Sequence, residues 1–299
     1  MENLLSTTSA ILITGPTASG KSALAVKLAK QHGGVVINAD SMQVYDTLRV
    51  LTARPSGEDM EGVPHHLYGH VPAGAAYSTG AWLRDVTALL PELQSRGQLP
   101  VFVGGTGLYF KALTGGLSDM PEIPDAIRAR LRRQLTEEGP AALYAALQSR
   151  DPPMAESLNP VDGQRIVRAL EMLEATGRSI SEFQGKAGPV IVDPDAAEKI
   201  VVLPDRAILH ERINGRFEKM LEQGAEDEVR ALLALALPAD MPVMKAIGVS
   251  QIAAMFEGQM TRAEVIEKGS AATRQYAKRQ MTWFRNQMDE SWTRLSQTA

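Results

Sequence analysis

The sequence predicts an α/β fold in which a parallel β-sheet is covered by helices. Apolar, β-branched residues at 11–14 and 35–40 are typical of buried strands, and residues 22–31 between them carry apolar side chains at helical spacing. A second helical pattern at 82–95 is followed by another strand-like run at 99–103. Strands that alternate with helices indicate crossover connections, which align neighbouring strands in parallel.

The pattern changes after residue 117. No strand-like run occurs in residues 118–189, where helical segments alternate with Pro and Gly breaks. We therefore predict a helical insertion domain at 118–189 within a core formed by residues 1–117 and 190–299. Residues 200–203 are expected to return the chain to the sheet. The later helices are predicted at 206–236, 249–256 and 263–286.

Composition narrows the class of protein. With 44% apolar and 22% charged residues, the chain has ordinary globular usage, and the absence of Cys excludes disulfides and thiolate metal sites. The net charge of −4 argues mildly against nucleic-acid binding, so any RNA contact would need local basic patches. Residues 1–15 contain no Lys or Arg, and the longest apolar run, 231–237, is far shorter than a membrane span. We expect a cytoplasmic monomer.

One segment matches the phosphate-loop pattern G-x-x-x-x-G-K-[ST], between a predicted strand and a predicted helix. Its residues are Gly15, Pro16, Thr17, Ala18, Ser19, Gly20, Lys21 and Ser22. In such a loop, backbone N–H groups and the helix N-terminus bind phosphate oxygens, the Lys adds positive charge, and the Ser hydroxyl is suited to Mg²⁺. The sequence thus predicts a P-loop NTPase-like core with Mg²⁺ as cofactor. Kinases and other ATP-binding enzymes share this loop with transferases that expel diphosphate.

Asp40 ends the second predicted strand. Ligands of open α/β sheets bind outside the carboxyl ends of the strands, so this carboxylate is expected to face the phosphate loop. Three roles are compatible with that position: a general base, a Mg²⁺ ligand, or a cap of the turn that continues with Ser41.

The third predicted strand ends in a glycine-rich segment, Gly104-Gly105-Thr106-Gly107, without the acidic residue that many NTPases use for the metal. A glycine run at a strand end allows a ligand or another backbone to approach closely.

Basic residues are concentrated on two predicted helices. Arg128, Arg130, Arg132 and Arg133 lie in the insertion, and Arg274, Lys278 and Arg285 share one face of the last helix, among the aromatic residues Tyr276, Trp283 and Phe284. Basic and aromatic side chains together suit RNA, whereas solvated helix faces are the simpler interpretation.

Seven segments occur in one order over nearly the whole chain. They are residues 15–22, 40–45 (Asp-Ser-Met-Gln-Val-Tyr), 63–67 (Val-Pro-His-His-Leu), 104–109 (Gly-Gly-Thr-Gly-Leu-Tyr), 162–171, 212–217 and 273–285. Together they resemble the tRNA dimethylallyltransferase family, also called isopentenyl-tRNA or IPP transferases. A single segment of this kind would support the resemblance only weakly, whereas seven segments in the same order are specific for the family. The sequence departs from the family pattern within residues 46–55, where Arg54 replaces Lys, and at Val249, where the family has Tyr.

The resemblance implies transfer of a dimethylallyl group from dimethylallyl diphosphate to the N6 amine of the adenosine 3′ of the anticodon, position 37 of tRNA. Asp40 would be the base, while Thr17, Lys21 and Arg216 would act on the diphosphate. The helical insertion would clamp the anticodon stem-loop. The residues expected to contact tRNA are Asp40, Ser41, Met42, Gln43, Thr106, Arg128, Gln164, Arg165, Ile166, Val167 and Arg168, with Arg274 and Lys278 from the last helix.

Three alternatives use the same features. An adenylate isopentenyltransferase would prenylate free AMP, but a free nucleotide does not need a helical clamp. A small-molecule P-loop kinase would use ATP, although no acidic residue follows Val103. A non-catalytic RNA-binding module would need neither the intact phosphate loop nor Asp40.

Overall fold

The computed structural model describes residues 8–118, 120–184 and 188–296, and within them it contains one parallel sheet. The strands are β1 (Ala10–Thr14), β2 (Val35–Asn38), β3 (His65–His66), β4 (Pro100–Gly104), β5 (Ala197–Val202) and β6 (Thr293–Leu295). Their order across the sheet is β3-β2-β4-β1-β5-β6, and every pair is parallel. The predicted α/β class with a parallel sheet is confirmed.

The helices account for most of the remaining described residues. They are α1 (Lys21–His32), α2 (Gly57–Met60), α3 (Thr79–Ser95), α4 (Gly107–Leu113), α5 (Asp125–Arg150), α6 (Pro152–Glu156), α7 (Gly163–Thr176), α8 (Ser181–Gln184), α9 (Arg206–Glu222), α10 (Ala225–Ala234), α11 (Val249–Phe256) and α12 (Arg262–Gln287). The single helix predicted at 206–236 is two helices, because the left-handed backbone of Gly224 (φ 100°) ends one and begins the next. No described helix is both long and apolar enough to cross a membrane.

The strand order determines where the candidate site forms. The strands β2, β4 and β1 are neighbours, and all their residues are buried. Because the strands are parallel, the segments that follow them leave at the same edge of the sheet. Those segments are the phosphate loop after β1, Asp40 after β2, and the glycine-rich segment after β4. The fold therefore brings the three predicted segments to one edge.

Two compact units divide the chain. Residues up to Thr114 and from Ile191 onward form the first, and Gly115–Val190 form the second, whereas the sequence placed these boundaries at 117/118 and 189/190. The second unit contains α5 to α8 around its own apolar core, to which Leu131, Leu147 and Leu170 contribute. The longest helix of this unit, α5, is broken at Gly139 (φ 76°, ψ 173°), just before Pro140.

The segment that departs from the family pattern is held by side chains of the first unit. Backbone N–H groups of Arg49, Val50 and Leu51 donate to the carboxylate of Glu228 on α10, at 3.1, 2.7 and 3.0 Å. The Arg54 guanidinium donates to the backbone carbonyls of Tyr45 and Asp46, at 3.1 and 3.2 Å. These charged groups tie the turn that follows the Asp40 segment to the core.

We expect Glu228→Gln to lower the free energy of unfolding by about 1–3 kcal/mol, because a neutral amide accepts three N–H groups less well than a carboxylate does. Urea unfolding measures the change, with Glu222→Gln as the matched control because Glu222 is exposed. Equal stability of the two variants would contradict the anchoring role of Glu228.

Candidate active site

The phosphate loop connects β1 to α1 through a backbone that needs unusual geometry. A Cβ atom at Gly15 would lie 2.5 Å from the carbonyl oxygen of Val202 on the neighbouring strand, so a side chain does not fit there. Ala18 and Gly20 have positive φ angles of 62° and 91°. An L-residue such as Ala18 in the left-handed region is uncommon, and such strain is concentrated at functional sites.

Two arginines of α9 complete a cleft over this loop. The cleft has a volume of about 390 Å³ and is lined by Ala18, Gly20, Lys21, Ser22, Arg212 and Arg216. Arg212 and Arg216 are four residues apart and therefore share one helix face. Arg216 was predicted from the resemblance, whereas Arg212 was not, although the spacing of four could have indicated it.

The cations of the cleft interact with Asp40. Burial lowers the pKa of Lys21 to about 8, with the negative charge of Asp40 opposing this shift and the positive charge of Arg216 adding to it. Burial also lowers the pKa of Arg216, opposed by the charges of Asp59 and Asp40. Since Lys21, Arg216 and Asp40 act on one another, the phosphate loop, α9 and the end of β2 contribute to one site.

Asp40 uses one carboxylate oxygen to build its own turn. Its Oδ1 accepts the N–H of Met42 at 2.9 Å, and its N–H donates to Oδ1 of Asn38 at 2.9 Å. The turn role, one of the three predicted alternatives, is therefore present. Among the described residues no donor bonds to Oδ2 of Asp40, and the residue is only half-buried. One oxygen thus remains available to a substrate.

The negative charge of Asp40 acts on three tyrosines. Burial raises the pKa of Tyr68, Tyr109 and Tyr276, and the negative charge of Asp40 raises each further. They come from the loop after β3, from α4 and from α12. Tyr109 also stacks on Trp82 with ring centroids 4.3 Å apart. All three phenols therefore stay neutral within electrostatic range of Asp40.

The segment after β4 lies directly against the segment after β2. A Cβ atom at Gly104 would lie 1.9 Å from the carbonyl oxygen of Ala39, and the Thr106 N–H donates to that oxygen at 3.2 Å. The Thr106 hydroxyl accepts the N–H of Ser41 at 2.9 Å. The close backbone approach expected from the glycine run is present. Thr106 and Ser41, two predicted tRNA contacts, lie together beside Asp40.

Gln280 of α12 was not among the predicted site residues. The Thr17 N–H donates to its Oε1, and its Nε2 donates to the carbonyl oxygen of Gly105, both at 2.9 Å. Because the N–H of Thr17 is engaged in this way, its hydroxyl is the group left for a substrate. A buried Gln within a polar helix cannot be distinguished by pattern from a surface Gln, which is why sequence reasoning missed it.

The other predicted tRNA contacts of the first unit have different surroundings. Gln43 donates through Nε2 to the carbonyls of Thr52 and Ala53, at 3.0 and 3.1 Å, so its side chain holds its own loop. Arg274 on α12 bonds to Oδ1 of Asn214, and Lys278 is exposed one turn further along the helix. Met42 is half-buried two residues from Asp40.

In the second unit, the predicted tRNA contacts divide into exposed and buried side chains. The exposed Gln164 and Arg165 lie at the start of α7. Two partly exposed arginines form ion pairs, Arg128 with Asp125 at 3.2 Å and Arg168 with Glu171 at 3.3 Å. The side chains of Ile166 and Val167, however, are only 0% and 6% exposed.

These two side chains pack in the core of the second unit. The prediction of RNA contact therefore fails for the side chains of Ile166 and Val167, because they face the apolar side of the helix.

The fold and site define a phosphate-loop α/β protein in which a carboxylate faces the cations of the loop. Sequence comparisons identify the family more closely. A family model described as IPP transferase matches residues 43–287, and one described as isopentenyl transferase matches residues 8–68 only. The chain belongs to the IPP transferase family, the tRNA dimethylallyltransferases.

Individual relatives agree with this assignment. The tRNA dimethylallyltransferase of Rhizobium johnstonii is 78% identical over 296 residues, which cover 99% of this chain and 100% of the relative. A tRNA isopentenylpyrophosphate transferase from Bacillus halodurans has a similar structure, with a TM-score of 0.67, 34% identity, and coverage of 96% of this chain and 90% of that chain.

A eukaryotic dimethylallyltransferase described as acting on tRNA gives a TM-score of 0.78 at 28% identity, covering 92% of this chain and 69% of that chain. The family and the prenyltransferase class predicted from the sequence are confirmed.

Proposed function

We propose that the protein transfers the dimethylallyl group of dimethylallyl diphosphate to the N6 amine of the adenosine at position 37 of tRNA, giving N6-isopentenyladenosine and diphosphate. One observation carries this proposal: Lys21 and Arg216, the cations of a phosphate cleft, interact with Asp40, whose Oδ2 bonds to no donor in the described part of the chain. The arrangement provides a site for an anionic leaving group beside a base for the acceptor.

The cleft side of the site is suited to the leaving group. When the bond between the allylic carbon and oxygen breaks, the diphosphate leaves with the electron pair and gains negative charge. The cleft is lined by three positive charges, those of Lys21, Arg212 and Arg216. Fixed positive charges at this place stabilise the negative charge that develops on the leaving diphosphate. Loop amides and the Thr17 hydroxyl would position the phosphate oxygens.

Ser22 is the residue of the cleft that would bind a Mg²⁺ ion. It is exposed and lines the cleft, and its hydroxyl is an oxygen ligand of the kind that Mg²⁺ prefers. Mg²⁺ usually keeps several waters and substrate phosphates as its other ligands. Among the described residues no cluster of three His, Cys, Asp or Glu exists that could hold the ion alone. Ser22 would therefore share it with the diphosphate. The ion would neutralise charge on the leaving group.

The Asp40 side is suited to the acceptor. As the new bond forms between N6 and the allylic carbon, the amine loses a proton, and Oδ2 of Asp40 is the free oxygen that accepts it. The phenols of Tyr68, Tyr109 and Tyr276 stay neutral within electrostatic range of Asp40. The acceptor adenine would leave its base stack to bring N6 to Asp40.

We propose that tRNA binds through local basic surfaces of this net acidic chain. Lys278 on α12 and the arginines of the second unit, including Arg128 and Arg165, are exposed or partly exposed. Phosphate contacts of this kind supply most of the affinity for nucleic acids. The second unit would hold the anticodon stem-loop, and the enzyme would act as a cytoplasmic monomer.

Transfer of label from radioactive dimethylallyl diphosphate, with Mg²⁺ present, tests the proposal. Unmodified tRNA and AMP are offered as separate acceptors, and labelled ATP is tested in a parallel reaction. We expect label on tRNA and none on AMP. Label on AMP alone would establish the adenylate isopentenyltransferase alternative, and phosphate transfer from ATP without prenyl transfer would establish the kinase.

Arg212→Ala is expected to raise KM for dimethylallyl diphosphate about tenfold or more, because one charge-assisted hydrogen bond to the diphosphate is lost. Steady-state kinetics with tRNA at saturation measures the change. Arg206→Ala, at the exposed first residue of the same helix, is the matched control. Equal KM values for the two variants would show that Arg212 does not bind the diphosphate.

A further inference from the structure

A single buried amide joins the two loops that form the proposed site. Gln280 is 6% exposed, and its Oε1 and Nε2 bond to the Thr17 N–H and the Gly105 carbonyl, both at 2.9 Å. The orientation of the amide is determined by its partners, because one is only a donor and the other only an acceptor. Both bonds connect positions far apart in the chain, with separations of 263 and 175 residues.

The amide also lies beside the carboxylate of Asp40. A Cβ atom at Gly105 would be 2.3 Å from Nε2 of Gln280 and 3.3 Å from Oδ2 of Asp40, so both atoms border the same small space. Only a residue without a side chain leaves room for them. The free oxygen of the proposed base and the amide that holds the phosphate loop are therefore neighbours across Gly105.

The backbone around Gly105 is bonded to the segment that carries Asp40. Gly104 lies against the backbone of Ala39, and Thr106 donates to the carbonyl of Ala39. The Gly105 carbonyl that Gln280 binds therefore belongs to a segment already bonded to the Asp40 segment. A shift of Gln280 would move the phosphate loop relative to Asp40.

We propose that Gln280 is a positioning residue for prenyl transfer, which sets the separation between the diphosphate in the phosphate loop and the base Asp40. The inference rests on the proposed function. In that reaction the N6–carbon bond forms while the carbon–oxygen bond breaks, so the acceptor, the allylic carbon and the leaving oxygen must be aligned. A displacement of about 1 Å reduces such a rate by about 10²-fold.

Two variants separate the contacts of Gln280. Gln280→Met has similar length and removes both hydrogen bonds, whereas Gln280→Glu keeps the acceptor for Thr17 but loses the bond to Gly105 and adds a carboxylate beside Asp40. Gln275→Met and Gln275→Glu are the matched controls, because Gln275 is exposed on the same helix. The readouts are kcat, KM for each substrate and the melting temperature.

We expect Gln280→Met to lower kcat by about 10- to 100-fold with little change in KM for tRNA, since alignment and not tRNA binding is affected. Gln280→Glu is expected to lower kcat by a similar factor, because the bond to the Gly105 carbonyl is lost. A structural role alone would lower the melting temperature and leave kcat of the folded enzyme unchanged.

The outcomes distinguish the two proposals. If the wild-type protein transfers no prenyl group to tRNA, the proposed function fails and the inference fails with it. If the wild type is active, Gln280→Met variants that match their Gln275 controls overturn the inference alone. Should Gln280→Met not fold, Gln280→Glu decides the question, and a kcat equal to that of Gln275→Glu overturns the positioning role.

Discussion

Asp40→Asn is expected to reduce kcat for prenyl transfer by about 10²- to 10⁴-fold, the range that general bases contribute. Asn can still accept the Met42 N–H through Oδ1, so the turn is retained, but it cannot take the proton of the acceptor amine. We expect the affinity for tRNA to change by about threefold at most, because phosphate contacts dominate that affinity. We expect the same loss of prenyl transfer, with tRNA binding retained, for Asp40→Ala.

The control for this prediction is Asp46→Asn, an exposed carboxylate in the following turn. Retained turnover in either Asp40 variant would refute the role of Asp40 as the base.

Lys21→Ala is expected to lower kcat/KM for dimethylallyl diphosphate by about 10²- to 10³-fold, the effect of removing one group that stabilises developing charge. Lys21 lines the cleft, where burial lowers its pKa to about 8. Lys219→Ala, at an exposed position of α9, is the matched control and should leave the rate unchanged.

The lowered pKa of Lys21 also predicts a pH dependence of the wild type. The amine is charged below its pKa of about 8 and loses its charge as the pH rises through that value, so kcat/KM should fall on the alkaline side. The alkaline limb of the kcat profile should lie at higher pH than that of the kcat/KM profile, because bound diphosphate favours the charged form of the Lys21 amine. A flat kcat/KM between pH 7 and about 9 would contradict the assignment of Lys21.

The sequence predicts those parts of the structure whose geometry depends on residues that are adjacent in the chain. The phosphate loop is recognisable because its glycines, Lys21 and Ser22 serve a geometry that the loop itself adopts. The strands β1, β2 and β4 were predicted because they are buried on both faces and therefore continuously apolar. Asp40 could be placed at the site from its position at the end of a strand.

Other elements needed the folded chain. The strands β3 (His65–His66) and β6 (Thr293–Leu295) are short, partly exposed edge strands, so they have no apolar run to detect. The family resemblance implies RNA contact for Ile166 and Val167 as well as for their polar neighbours, but both side chains pack into the apolar core of the second unit.

The sequence by itself determined the α/β class, the phosphate loop and the family, since each is expressed in contiguous residues and their order. Only the tertiary structure decided which distant residues complete the site. Gln280 reaches Thr17 across 263 residues of chain. Such contacts form only when helices and strands pack around a common core. A local sequence pattern does not indicate which polar side chain will be buried in that core.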